Sequence, residues 1–80
     1  MNPASRLHGC STPHQRERII ALMREAALPT DRFGHRHQQP FDAAGIPEPP
    51  YGSDVQAHVA RLPRPHASAL IEALKAQVHQ

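Results

Sequence analysis

The chain is poor in the residues that anchor most small folds. Trp is absent, Tyr occurs once and Phe twice. The core must therefore rest on Ala, Leu, Ile and Val, and the aromatic platforms that stack single-stranded nucleic acid are missing. Cys10 is the only cysteine. That excludes an intramolecular disulfide, and with it the stapled framework that small secreted domains usually need. The opening MNPASRLHGCSTPH holds no apolar run of signal-peptide length. No stretch approaches a membrane span, so no membrane partner is expected. These deficits point to a reducing cytoplasm. A Gly-rich phosphate loop is also missing, as is any paired-carboxylate signature of general acid–base chemistry.

Eighty residues allow one domain at most. A chain of this size buries only about 60% of its unfolded surface, so its core is small and its stability marginal. Nine prolines and four glycines cluster outside the apolar runs. The composition predicts a compact helical core with loose segments attached.

The net charge is +2 with His neutral, and it is uneven. Residues 1–40 carry six Arg against Glu17, Glu25 and Asp31, a balance of +3. Residues 41–80 carry Arg61, Arg64 and Lys75 against Asp42, Glu48, Asp54 and Glu72, a balance of −1. A basic front half suits weak attraction to an acidic partner, but it is far from the dense basic stripe of a dedicated nucleic-acid binder.

Residues 1–11 read as a flexible tail. TPHQRERIIALMREAAL then carries a clear helix start: Thr12 can cap, Pro13 takes the first helical position, and Gln15 falls three after the cap. Ile19, Met23 and Ala26 share a face that Leu22 widens. Pro29 should stop this helix by forcing Leu28 out of helical geometry, giving a helix over 13–28. Residues 29–53 read as irregular, with Phe33, Phe41, Ile46 and Tyr51 pinning the segment to the core. SDVQAHVARL predicts a helix over 54–62 with Ser53 as cap, Asp54 complementing the helix end, and Val55, Val59 and Leu62 on one face. Pro63 ends it. Pro65 starts a last helix over 65–78, whose Ala67, Leu70, Ile71, Leu74 and Val78 keep a three-four spacing. The corner should fold the second helix onto the third, and the first helix should close the core. The expectation is an all-α, compact three-helix domain with a flexible tail and a long Pro/Gly-rich loop between helices 1 and 2.

TPHQRERIIALMREAAL and GSDVQAHVARLPRPHASALIEAL together resemble small helical accessory modules of phages and other bacterial mobile elements, among them modules in the late-gene regulators of Mu-like phages. The shared pattern is a Thr, a Gln three later, Ile and Leu on one face, and a second part ending in AS-x-LI-x-x-L. It covers Thr12 to Leu28 and Gly52 to Lys75, about half the chain. The insert FGHRHQQPFDAAGIPEPPYG departs from it. The resemblance implies mobile DNA as context and accessory roles in nucleic-acid or host-protein binding. It assigns no catalytic residue.

Seven histidines stand at positions 8, 14, 35, 37, 58, 66 and 79. His8, Cys10 and His14 lie close together, as do His35 and His37, and imidazole and thiolate suit zinc. Structural zinc sites, however, pair cysteines, and only one exists. Solvated surface histidines are expected, with no metal and no cofactor. Cys10 with His8 or His14 would make a nucleophile and base on paper, but the segment has no rigid scaffold or oxyanion donors, so no enzyme is expected.

Two binding readings remain. A host or phage protein is the favoured partner, engaged through helix 1 and the 30–52 loop: Phe33, Phe41, Ile46, Pro47, Pro50 and Tyr51. IPEPPYG offers a preordered extended segment ending in a tyrosine. Nucleic acid is the alternative, through Arg16, Arg18, Arg32 and Arg36, although the last helix lacks base-reading side chains. A homodimer that covers a spare apolar stripe is a third possibility.

Overall fold

A computed structural model describes residues 10–79. It is all-α, with four helices rather than three: α1 Pro13–Glu25, α2 Gln38–Ala44, α3 Val55–Arg61 and α4 Arg64–Val78, with a 3-10 turn at His35–His37 leading into α2. Among the described residues there is no strand, only an isolated antiparallel bridge between Arg32 and Asp54. No helix there is long and apolar enough to cross a membrane.

The start of α1 matches its sequence pattern. The Thr12 hydroxyl accepts from Gln15 N–H at 3.1 Å, and the Gln15 Oε1 accepts from Thr12 N–H at 3.0 Å. Gln15 Nε2 also donates to Arg64 O and to the Ser68 hydroxyl, tying the start of α1 to the start of α4. The tail expected over residues 1–11 lies outside the described residues up to position 9. Its end is fixed, because Ser11 is buried and its hydroxyl donates to Val59 O at 2.7 Å.

Helix 1 ends at Glu25, three residues before the expected Leu28. Pro29 is not what stops it. Ala27 turns into the left-handed region at φ 61. Ala27 N–H then donates to Arg24 O, and Leu28 N–H reaches back to Met23 O at 2.8 Å. This is a Schellman ending, with buried Leu28 beyond the last turn and buried Met23 within it.

The expected 29–53 loop is only partly irregular, since it contains the 3-10 turn and α2. Pro40 falls in the first turn of α2, where its missing N–H would have no helical partner anyway. Phe41 is buried, and α2 ends as α1 does: Gly45 is left-handed at φ 69 and donates to Asp42 O, while Ile46 donates to Phe41 O. The density of Pro and Gly around QQPFDAA hid a helix too short to show a full periodic stripe.

The cap of α3 is Asp54, whose carboxylate accepts from Ala57 N–H at 3.1 Å. Ser53 closes the preceding turn instead. At the Leu62–Pro63 corner both residues are extended, with ψ of 135° and 149°, and Pro65 sits in the first turn of α4. The corner does not fold α3 onto α4. The principal pairings are α1 with α4, α2 with α4, and α1 with α3. Two extended residues carry the chain away from α3, so α4 crosses to the other helices. The core that results unites Ile19, Leu22 and Met23 of α1, Phe33 and Phe41, Val55 and Val59 of α3, Leu62, and Ala67, Leu70 and Leu74 of α4.

Candidate functional site

The loop residues singled out in the sequence divide into two groups. Phe33, Phe41 and Ile46 are buried in the core. They pin the segment, as expected, but are not available to a partner, and their assignment as partner-binding residues is corrected here. Pro47, Pro50 and Tyr51 are exposed. Tyr51, at 56% exposure, is the one exposed large hydrophobic side chain among the described residues.

The backbone holds Tyr51 out on a fixed turn. Ser53 N–H donates to Pro50 O at 3.1 Å, and Gly52 has φ 87. That is the type II pattern, which requires a positive φ at its third residue and so favours glycine there. Tyr51 occupies the second position, at the tip. The turn is bolted to the preceding segment: Phe33 N–H donates to Ser53 O at 2.8 Å, Gly52 N–H donates to Phe33 O at 2.7 Å, and Val55 N–H donates to Asp31 O at 3.0 Å. The Arg32 guanidinium adds a bond to Gly52 O at 3.2 Å. Beneath it, the Tyr51 ring leans on Phe33 at 5.7 Å between centroids, and Phe33 meets Phe41 edge-on at 5.1 Å. An aromatic series thus runs from the surface into the core.

The four arginines of the nucleic-acid reading do not converge. Arg16 and Arg18 are two residues apart on α1, about 200° around its axis. Arg16 lines a groove between α1 and α3 together with Arg24. Arg32 lines a second depression with Thr30, Asp31, Asp54 and Gln56. Arg36 lines a third with His35, Asp42 and Gln77. Arg16, Arg32 and Arg36 therefore each share a depression with a carboxylate, Glu17 in the case of Arg16.

The histidines are not equivalent. His8 lies outside the described residues. His35 is exposed, whereas His37 is wholly buried and stacks on Phe33 at 5.0 Å. Its Nδ1 accepts from Gly34 N–H at 3.0 Å, so its Nε2 carries the proton and donates to Pro29 O at 2.8 Å. With both nitrogens committed, His37 is a core residue and makes no ligand pair with His35. Among the described residues, no three His, Cys, Asp or Glu side chains are grouped to hold a metal ion. Cys10 is exposed. His58 lies over Phe41 with ring centroids 5.9 Å apart, and its Nε2 is buried without a hydrogen-bond partner. Burial, and then the charge of Arg61, push its pKa below the ordinary histidine value.

The sequence reading passed over Ile20, Arg24 and Gln56 as functional residues. The available signal was spacing: Arg16, Ile20 and Arg24 recur every four residues, which sets them along one side of α1. Gln56 borders both the α1–α3 groove and the Arg32 depression. The exposed turn, Arg32, Gln56 and the stripe on α1 therefore follow one another across the surface. No protein-family model, curated protein or solved structure matches the chain.

Proposed function

We propose that this protein is a non-enzymatic recognition module, encoded by a phage or mobile element and acting in the cytoplasm, that docks a host or phage protein. Its working surface combines the exposed part of the loop, Pro47, Pro50 and Tyr51, with the adjoining face of α1. The observation that carries this reading is Tyr51. A large aromatic is held out on a hydrogen-bonded type II turn and backed by Phe33. Exposed Tyr side chains are enriched among the residues that dominate binding energy at protein interfaces. A turn already in its bound shape also lowers the ordering cost of association. The divergence of Arg16, Arg18, Arg32 and Arg36 supports a protein partner over a nucleic-acid backbone, which rewards phosphate contacts made together.

The test is a pull-down from bacterial lysate with wild-type protein and with Tyr51→Ala, each with and without nuclease, read by mass spectrometry. The expected result is one stoichiometric protein that survives nuclease and is lost with Tyr51→Ala, while circular dichroism of the variant matches wild type. Loss of all captured material on nuclease treatment would replace this reading with nucleic-acid binding.

A further inference from the structure

The groove between α1 and α3 has a composition that specifies its occupant. It encloses about 460 Å³. Ile20 and Ala21 of α1 and Val59 of α3 give it an apolar floor, Gln56 stands at one side, and Arg16 and Arg24 mark its two ends. Those arginines stand eight positions apart on the helix, about 12 Å along its axis. Among the described residues the one ion pair is Lys75 with Glu72, so neither arginine is held in a salt bridge. Glu17 also lines the groove and offsets one of the two charges.

We infer that this groove docks an acidic amphipathic segment of the partner protein. The inference rests on the reading above that the protein binds a protein. Apolar side chains of the segment cover Ile20 and Ala21, above the buried Val59, and carboxylates on either side of them meet Arg16 and Arg24. The floor argues for this occupant over nucleic acid, since a sugar–phosphate backbone offers nothing apolar to Ile20 and the groove holds no aromatic ring for a base to stack on. The cationic ends argue against a second copy of the chain laid symmetrically on the same groove, which would bring Arg16 and Arg24 against their own counterparts. Helix-in-groove docking is an established mode in which apolar side chains supply affinity and flanking charges supply orientation.

The probe is a short synthetic peptide with Leu and Ile along one helical face and Glu on both sides of that face, titrated into the full chain and followed by fluorescence anisotropy. Wild-type protein should bind it saturably, with affinity falling as salt rises. Arg16→Gln with Arg24→Gln should weaken binding about tenfold, as expected for the loss of two exposed ion pairs. Arg61→Gln with Arg64→Gln removes the same net charge outside the groove and should bind like wild type. A peptide with Lys in place of Glu should not bind. Failure of the acidic peptide to bind overturns the inference. So does equal weakening by both double variants, which would reduce the attraction to net charge, or tighter binding of a DNA duplex than of the peptide. The same two double variants in the lysate pull-down separate this idea from the broader one. A partner lost with Tyr51→Ala but retained by Arg16→Gln with Arg24→Gln would leave the recognition module standing and remove the acidic segment from this groove.

Discussion

The imidazole of His37 bridges two backbone groups that nothing else satisfies: its Nε2 donates to Pro29 O at 2.8 Å, and its Nδ1 accepts from Gly34 N–H at 3.0 Å. The ring thereby fastens the segment after α1 to the 3-10 turn, and it does so with no exposed surface. His37→Ala removes a buried ring and strands both partners. It should cost about 3–5 kcal/mol, the scale of a large core truncation. His37→Phe restores the volume but not the hydrogen bonds, and each stranded group should still cost about 1–3 kcal/mol. Urea denaturation followed by circular dichroism checks both. Stability near wild type in the Phe variant would show that water satisfies the two groups.

The two Schellman endings differ in one residue. Beyond α2 the left-handed residue is Gly45, which adopts that conformation freely, and beyond α1 it is Ala27 at φ 61. An alanine there strains by about 1–2 kcal/mol, while a glycine costs about 0.5–1 kcal/mol in unfolded-chain entropy. Ala27→Gly should therefore stabilise the protein by about 0.5–1 kcal/mol, and Gly45→Ala should destabilise it by a similar amount. Nothing within 4 Å would obstruct a Cβ at Gly45, so its cost is conformational and not steric. Thermal unfolding of the two variants should shift in opposite directions.

What could be read from the sequence was set by how local each signal is. The capping box at Thr12 and Gln15 and the apolar faces of α3 and α4 depend on spacing within one or two turns, and they appear in the structure as expected. The end of α1 was misplaced because Pro29 is a conspicuous stop, whereas an alanine in the left-handed region leaves no mark in the sequence. α2 was missed because seven residues beside Pro and Gly cannot display a stripe. Tertiary facts were out of reach. His37 looks like its exposed neighbour His35 until Pro29 and Gly34 are folded around it. Among the loop aromatics, Tyr51 differs from Phe33 and Phe41 only by where the turn at Gly52 sends it.

Tyr51 and Phe41 should consequently respond in opposite ways to truncation. Tyr51→Ala removes a side chain that is 56% exposed, and should change stability by less than about 1 kcal/mol while abolishing partner capture. Phe41→Ala empties the buried inner end of the aromatic series and should cost about 3–5 kcal/mol. A domain this small has little stability in reserve. Loss of binding in a Phe41 variant would therefore report unfolding, and denaturation curves run beside each binding assay distinguish the two.

Acid should weaken the fold through His58. Its pKa is held below 6.5 in the folded protein by burial first and by the Arg61 charge second, and its Nε2 has no acceptor waiting for a proton. The unfolded chain, with an ordinary histidine, takes up that proton first as pH falls. Between the unfolded and folded pKa values the unfolded state binds more protons, so stability rises with pH across that window. The contribution is fully present above about pH 6.5. It drains away as pH falls towards the lowered folded value, and is constant below it. His58→Leu keeps an apolar side chain over Phe41 and removes the titration. Its denaturation midpoint should decline less than wild type between neutral and mildly acidic pH. Because the remaining histidines are common to both proteins, the difference between the two pH profiles isolates position 58, and parallel profiles would show that burial of His58 imposes no proton linkage on folding.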